Sequence, residues 1–157
     1  MKEIYIDSKV LKEILSLACK FLGTGSSDTQ LGLEVSGLII GCAAKDRIII
    51  HSILTGDQES KPFYTNLGDD FLASAAKKLA DGEISGNIYG WFHSHVGIGV
   101  FLSSLDVKTL RNMQRLSPDT FAIVVDPLSK ERFGFFRYDF KRDSPYRIDV
   151  RVFGTSQ

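Results

Sequence analysis

The spacing of apolar residues along the chain predicts three helices. Apolar residues recur every three or four positions over residues 10–22, 69–79 and 103–116. Asp7 or Ser8 offers an N-cap for the first helix, and the pair Ser117-Pro118 ends the third. Each helix is therefore amphipathic, with one apolar face that can pack on other elements.

Seven segments have the composition of β-strands. They cover residues 3–6, 34–43, 47–54, 87–95, 121–126, 132–140 and 146–153. The second and third form a predicted hairpin with Lys45 and Asp46 at its turn. The continuous apolar run over 121–126 is typical of a buried central strand, whereas the alternation over 146–153 predicts one half-exposed strand.

The order of these elements predicts a mixed sheet with flanking helices, and so an α/β or α+β fold around one core. A chain of 157 residues with no internal repeat and no linker indicates a single domain over residues 1–157. Polar loops are expected over residues 23–30 and 56–66.

Charge and composition narrow the classes of function. The 19 basic residues balance 19 acidic ones, so the chain lacks the positive charge expected of a protein that binds nucleic acid or a membrane surface. No apolar run approaches the length of a membrane span, and the first residues lack the long apolar run that is typical of a signal peptide. Two cysteines, Cys19 and Cys42, are too few for a disulfide framework, which favours a reducing, cytoplasmic location. Both cysteines are expected in the core.

Three side chains form a candidate metal-binding set. His93 and His95 lie two residues apart in a predicted strand, so both imidazoles point to the same side of the sheet and can share one ion. Asp106 follows eleven residues after His95, and the loop between them can bring its carboxylate to the same ion. Two histidines and one carboxylate leave a fourth position for water, which is typical of a catalytic rather than a structural zinc.

Glu34 and Ser103 are the candidate catalytic residues. An acidic residue that enters an apolar strand is costly to bury without a partner, and a metal-bound water would be such a partner, so Glu34 is the candidate base. Ser103 carries a hydroxyl close to Asp106 that can donate a hydrogen bond to an oxyanion. Two structural alternatives stay open: Glu34 as a surface residue at a strand edge, and Ser103 with Asp106 as the capping box of the third helix.

The order and spacing of these residues resemble the JAMM motif of the MPN-domain metalloproteases. The matching positions are Glu34, then His93-Ser94-His95, then seven residues, then Ser103, two residues and Asp106. Segments 34–41, 90–95 and 121–127 resemble the family's glutamate strand, its metal-ligand strand and the strand after its third helix. The approach to Ser103, with Gly97 and Gly99 before it, is most similar to the proteasome-lid deubiquitinase and the signalosome deneddylase.

This resemblance implies an MPN domain with a cytidine-deaminase-like architecture and a zinc-dependent isopeptidase activity. Such enzymes hydrolyse the bond between the C-terminal glycine of ubiquitin, or of a ubiquitin-like modifier, and a lysine side chain. Carried over to this chain, the resemblance implies one zinc ion held by His93, His95 and Asp106. It also implies Glu34 as general base and then acid, and Ser103 as the oxyanion donor. The implied partners are conjugates of ubiquitin-like modifiers, with assembly into the proteasome or another complex as a further expectation.

Two positions depart from the family pattern. Val96 stands where the family usually has a proline directly after the second histidine, and a proline would restrict the loop that follows. Phe101 stands where close relatives often carry tryptophan. Phe101 and Val100 are apolar residues in a predicted loop next to the site, so each is a candidate either for substrate contact or for the core.

Two other functions compete with the isopeptidase interpretation. One is a non-catalytic MPN scaffold that binds partners, although scaffold relatives typically lack some of the metal residues that are complete in this sequence. The other is a zinc hydrolase that processes a linear precursor of a ubiquitin-like or sulfur-carrier protein. In the resembled family, the segment that corresponds to residues 57–66 lies beside the groove for the ubiquitin tail, so this loop is a candidate for tail binding by strand addition.

Overall fold

The computed structural model describes residues 2–22, 34–55 and 69–154. The polar loops expected over residues 23–30 and 56–66 lie outside the described residues, as does the candidate tail-binding segment 57–66. Three helices and eight strands make up the described part of the chain. No described helix has the length and apolar character that crossing a membrane requires.

All eight strands belong to one mixed sheet, which confirms the predicted fold class. The strands are β1 (Glu3–Asp7), β2 (Ser36–Ala43), β3 (Arg47–Leu54), β4 (Asn87–Ser94), β5 (Phe121–Val125), β6 (Phe133–Asp139), β7 (Ser144–Arg147) and β8 (Arg151–Phe153). Their order across the sheet is β7-β6-β5-β4-β2-β3-β1-β8. The helices are α1 (Ser8–Lys20), α2 (Asp69–Ala80) and α3 (Ser104–Leu116).

The sheet is covered on both faces, and each face has its own apolar cluster. One cluster joins the α1 residues Val10 and Ile14 to Ile39 and Phe92 of the sheet. The other joins residues of α2 and α3 to Leu38 and Trp91, which directly precede Ile39 and Phe92 in their strands. Because successive residues of a strand point to opposite faces, β2 and β4 contribute to both clusters and are buried on both sides.

Strand β4 lies near the middle of the sheet and positions the candidate site. It pairs antiparallel with β2 and parallel with β5. A parallel pair needs a crossover connection, and here that connection contains α3. The C-terminal end of β4 therefore lies beside the start of α3, so that residues from both elements can meet.

The predicted single strand over residues 146–153 is wrong. The structure divides this segment into β7, which pairs with β6 at one edge of the sheet, and β8, which pairs with β1 at the other edge. Ile148 and Val150, between the two strands, pack against the cluster on the α1 face. The alternation of apolar and polar residues is real, but a pattern of period two does not say with which strand a segment pairs.

The expectation that both cysteines lie in the core is also wrong. Cys19 and Cys42 are free thiols and both are exposed. Cys42 belongs to β2, but the last two residues of that strand are exposed while the residues before them are buried. Cys19 lies on α1 beside the buried position Ala18, and a helix turns its neighbouring positions away from the buried face.

Candidate metal centre

His93, His95 and Asp106 converge where β4 meets the N-terminus of α3. One potential ligand atom from each of the three residues lies within 4.8 Å of the other two, and no other group of three such side chains does so among the described residues. The Nε2 atom of His93 is 3.1 Å from Oδ2 of Asp106, and Nε2 of His95 is 4.0 Å from the same oxygen. The structure therefore brings together the three ligands that the sequence singled out.

The two histidines share one face because β4 continues extended to its end. His93 pairs with Ser36 of β2 and with Val124 of β5, so the strand ladder holds it from both sides. His95 lies one residue beyond the strand, and its N–H still donates to the Val125 carbonyl at 2.7 Å. The two ring centroids are 5.1 Å apart. Both side chains are buried.

The start of α3 fixes the Asp106 carboxylate. Ser103 is the N-cap of α3, its Oγ accepts a hydrogen bond from the Asp106 N–H at 3.2 Å, and its own N–H donates to Asp106 Oδ2 at 2.8 Å. Burial raises the pKa of the Asp106 carboxyl, but His93 and the contacts with Ser103 outweigh burial, so this pKa lies below its usual value. The carboxylate is consequently ionised at neutral pH, the form that binds a cation.

A carbonyl sets the tautomer of His95. Its Nδ1 lies 2.7 Å from the carbonyl oxygen of Gly99, and because a carbonyl only accepts, Nδ1 carries the proton. The Nε2 atom is then left with a free lone pair on the side of Asp106. Burial lowers the pKa of His95, although the hydrogen bond to Gly99 and the charge of Asp106 oppose it. A neutral imidazole with Nε2 unprotonated is the form that ligates a metal.

Glu34 is buried beside the metal-ligand strand, so the alternative of a surface residue does not apply. Only 3% of Glu34 is exposed. The following residue, Val35, donates its N–H to Ser94 Oγ at 2.8 Å and accepts from the Ser94 N–H, also at 2.8 Å. Ser94 thereby ties the chain at Glu34 to the residue between the two histidines. No local pattern singles out Ser94, because its bonds to Val35 join distant segments of the chain.

Ser103 does form the capping box with Asp106, which was the structural alternative. Capping uses a lone pair of Oγ, so the hydroxyl hydrogen stays available to donate. The two roles are therefore compatible in one side chain. Whether Ser103 donates to an oxyanion stays a prediction.

The two apolar loop residues differ in their surroundings. Phe101 is 45% exposed, and its ring centroid lies 4.9 Å from that of His95. Val100 instead packs against the apolar cluster on the face of α2 and α3. Phe101 thus presents an aromatic surface beside the three candidate metal ligands. Val100 anchors the same loop by packing on the apolar cluster.

Comparison with known proteins assigns the family. The model of the family described as JAB1/Mov34/MPN/PAD-1 ubiquitin protease matches residues 1–119. The chain therefore belongs to this family. That membership supports a hydrolase, and the three converging side chains could hold a metal ion.

Two curated relatives show how the similarity is distributed. STAM-binding protein-like of Xenopus laevis is 30% identical over 124 residues, which is 77% of this chain and 28% of that protein. Ubiquitin carboxyl-terminal hydrolase RPN11 of Saccharomyces cerevisiae is 31% identical over 125 residues, which is 78% of this chain and 40% of that protein. The chain thus spans well under half the length of both relatives, and the nearly equal identities do not single out one branch of the family.

A solved structure shows the same fold in a protein of distant sequence. The solution structure of protein DSY2949 from Desulfitobacterium hafniense matches with a TM-score of 0.68 and 16% identity. The match covers 97% of this chain and 94% of that one. At this identity the similarity concerns the fold alone.

Proposed function

We propose that this protein is a zinc-dependent isopeptidase that removes ubiquitin or a ubiquitin-like modifier from lysine side chains. The observation that carries the proposal is the convergence of His93, His95 and Asp106 beside a buried chain segment that contains Glu34. Family membership supports the class of reaction. The cytoplasmic location and assembly into a larger complex stay predictions.

The donor set fits one zinc ion per chain. Two imidazoles and one carboxylate are ligands that zinc prefers, and three protein ligands leave a position open. His93 adds a specific sign of fit, because its Nε2 faces Asp106 Oδ2 at 3.1 Å and is buried without a hydrogen bond within the described residues. A bound zinc would supply Lewis acidity, which polarises the scissile carbonyl and lowers the pKa of a bound water to about 7.

The chain's own residues would move the proton and hold the developing charge. Glu34 would accept a proton from the attacking water and deliver it to the lysine amine that departs. A C–O bond forms at the carbonyl carbon, the C–N bond breaks, and the products are a free carboxylate terminus and a free lysine. The hydroxyl of Ser103 would donate to the carbonyl oxygen as negative charge develops there.

The substrate would approach across the loop that follows His95. Phe101 offers an exposed aromatic surface next to the metal ligands, where an extended peptide tail could pack. We include Val100 as a support for Phe101 and as a weaker candidate for direct contact, since it packs inward. Residues 57–66 lie outside the described residues, and their binding of the tail by strand addition stays a prediction from the sequence.

The decisive experiment is cleavage of a lysine-linked dimer of a ubiquitin-like modifier by the zinc-loaded protein. The reaction is run with and without a zinc chelator and beside the Glu34→Gln variant, which keeps the shape of the side chain and removes the base. Cleavage that disappears in both controls supports the proposal. A linear fusion of the same modifier is tested in parallel.

Each other outcome points to a different function. Cleavage of the linear fusion alone would replace the isopeptidase with a processing enzyme for a linear precursor. A folded protein that binds no zinc and cleaves neither substrate would overturn the proposal in favour of a scaffold.

A further inference from the structure

Asp126 is a fully buried carboxylate that lies outside the candidate ligand set. It directly follows β5 and has an exposed fraction of 0%. Its Oδ1 accepts hydrogen bonds from the N–H groups of Gly97 at 2.9 Å and Leu128 at 3.0 Å. Its Oδ2 accepts from the N–H of Gly99 at 2.7 Å. A single side chain therefore joins the loop after β4 to the loop after β5.

The loop that Asp126 holds is the one that orients His95. Gly99 donates its N–H to Asp126, and its carbonyl accepts the Nδ1 proton of His95 at 2.7 Å. The three residues form a continuous chain of hydrogen bonds that runs from the carboxylate through one peptide residue to the imidazole. A shift of Gly99 would move the acceptor that fixes both the tautomer and the ring orientation of His95.

Two glycines allow the loop to present its N–H groups to one carboxylate. Gly97 has φ = 77° and Gly99 has φ = 96°, in the left-handed region that other residues rarely adopt. A Cβ at Gly97 would lie 3.7 Å from Leu128 Cδ1, and one at Gly99 would lie 4.0 Å from Phe101 Cδ1, both ordinary contacts. The requirement for glycine is therefore one of backbone conformation, and the conformation serves the bonds to Asp126.

This arrangement supplies the restraint that Val96 cannot. A proline directly after His95 would limit the backbone of the loop, and this chain has valine instead. We propose that Asp126 is a positioning residue for the metal centre, which holds the Gly99 carbonyl against His95 and so presents Nε2 of His95 to zinc. The inference rests on the zinc site proposed above and does not depend on which substrate is cleaved.

The informative variant is Asp126→Asn, which keeps the volume of the side chain and creates no cavity. An amide has one acceptor oxygen and one N–H₂ donor, so at least one of the three N–H groups would face another donor. The matched control is Asp139→Asn. Asp139 likewise accepts two backbone N–H groups, from Lys141 at 2.9 Å and Arg142 at 3.2 Å, in the connection between β6 and β7.

Zinc affinity is measured by competition with a chelator, and thermal unfolding of the metal-free protein is measured beside it. We expect Asp126→Asn to weaken zinc binding by about 10–100-fold, the usual effect of losing a group that orients a ligand. The control variant should stay within about twofold of the wild type. Asp126→Asn combined with Val96→Pro should recover part of the lost affinity, because proline restrains the same loop by another means.

A purely structural role would give a different pattern. Asp126→Asn would then lower the unfolding temperature while its zinc affinity stayed within twofold of the wild type. Adding Val96→Pro would leave the zinc affinity unchanged. That result would overturn the inference. Wild-type protein that binds no zinc would instead defeat the proposed function, so the two failures are distinguishable.

A second measurement covers the case in which Asp126→Asn does not fold. Amide hydrogen exchange of the metal-free wild type should show protected N–H groups at Gly97, Gly99 and Leu128, because each is bonded to a buried carboxylate. Exchange at the rate of an open chain at these three positions would overturn the inference without any variant.

Discussion

The candidate centre has two halves that are held in different ways. The strand half contains His93 and Ser94, which lie within β4 and are fixed by neighbouring strands on both sides. The turn half contains His95, Ser103 and Asp106, which lie beyond the strand or at the start of α3 and are fixed by one or two hydrogen bonds each. Many redundant bonds secure the first half, so a change there should disturb chemistry more than geometry, while in the second half one lost bond can displace a ligand.

The largest expected effect on the cleavage rate comes from Glu34, whose neighbour Val35 is bonded to Ser94 in the strand half. Glu34→Gln should lower the cleavage rate by about 10²–10⁴-fold, the usual contribution of a general base. Zinc affinity should stay unchanged, because Glu34 is not a ligand and its backbone neighbour remains bonded to Ser94. Single-turnover cleavage and chelator competition on the same sample test both statements. A Gln variant that cleaves normally would remove Glu34 from the mechanism.

The next effect separates the two roles of Ser103. Ser103→Ala should lose about 10²–10³-fold in cleavage rate if the hydroxyl donates to the oxyanion. It should also lose about 0.5–2 kcal/mol of stability, because alanine cannot cap α3.

Ser103→Gly is the matched variant for that test. Glycine at an N-cap costs only a few tenths of a kcal/mol, so it removes the hydroxyl with little change in the unfolding free energy. Slow cleavage by both variants supports the oxyanion role. Normal cleavage by Ser103→Gly would show that Ser103 acts only as a cap, which would make the turn half purely structural at this position.

Ser94 tests the redundancy of the strand half. Ser94→Ala would leave the buried Val35 N–H without its acceptor, at a cost of about 1–3 kcal/mol in unfolding free energy. Zinc affinity should change little, since the strand ladder still holds His93. Cleavage should slow through kcat because Glu34 is less firmly placed. If Ser94→Ala weakened zinc binding as much as Asp126→Asn, the contrast between the halves would be wrong.

The smallest expected effect is a pH dependence of the stability of the metal-free protein, which arises from His95 and Asp106 in the turn half. Burial lowers the pKa of His95, so the unfolded chain takes up a proton at a pH where the folded protein does not. Stability of the metal-free protein should therefore fall as the solution is acidified below the usual histidine pKa, with a slope of at most about 1.4 kcal/mol per pH unit for this one proton. Asp106, whose folded pKa is also lowered, extends the loss to lower pH.

Denaturant unfolding at a series of pH values measures this slope. His95→Gln should flatten it in the range around the usual histidine pKa. His51→Gln, at an exposed position of β3, is the control and should leave the slope as it is. Equal flattening by both variants would mean that the slope does not report on the turn half.

The sequence was informative wherever a short-range period decides the structure. The spacing of two residues was enough to place His93 and His95 on one face, and the [ST]xx[DE] pattern was enough to predict the capping box at Ser103 and Asp106. The apolar run over 121–126 correctly indicated a central buried strand.

The sequence was uninformative wherever a contact joins distant segments. The bond between Ser94 and Val35 spans 59 positions, and those from Asp126 to Gly97 and Gly99 span 29 and 27. An acidic residue at the end of an apolar run is the only local sign of Asp126. The prediction of a single strand over 146–153 failed for the same reason, because the choice of edge depends on the whole sheet.

The parallel pairing of β8 with β1 decides where a label can be attached. Val152 pairs with Ile6, and the same row of paired residues crosses β3 and β2 to reach Asn87, the first residue of β4. His93 lies near the other end of that strand. The chain near Gly154 therefore lies at the opposite edge of the sheet from β7 and near the level of the first residues of β4, away from the candidate metal ligands. A fluorophore or surface tether joined beyond Gly154 would leave the approach to the metal ligands open, so that binding could be followed on immobilised protein.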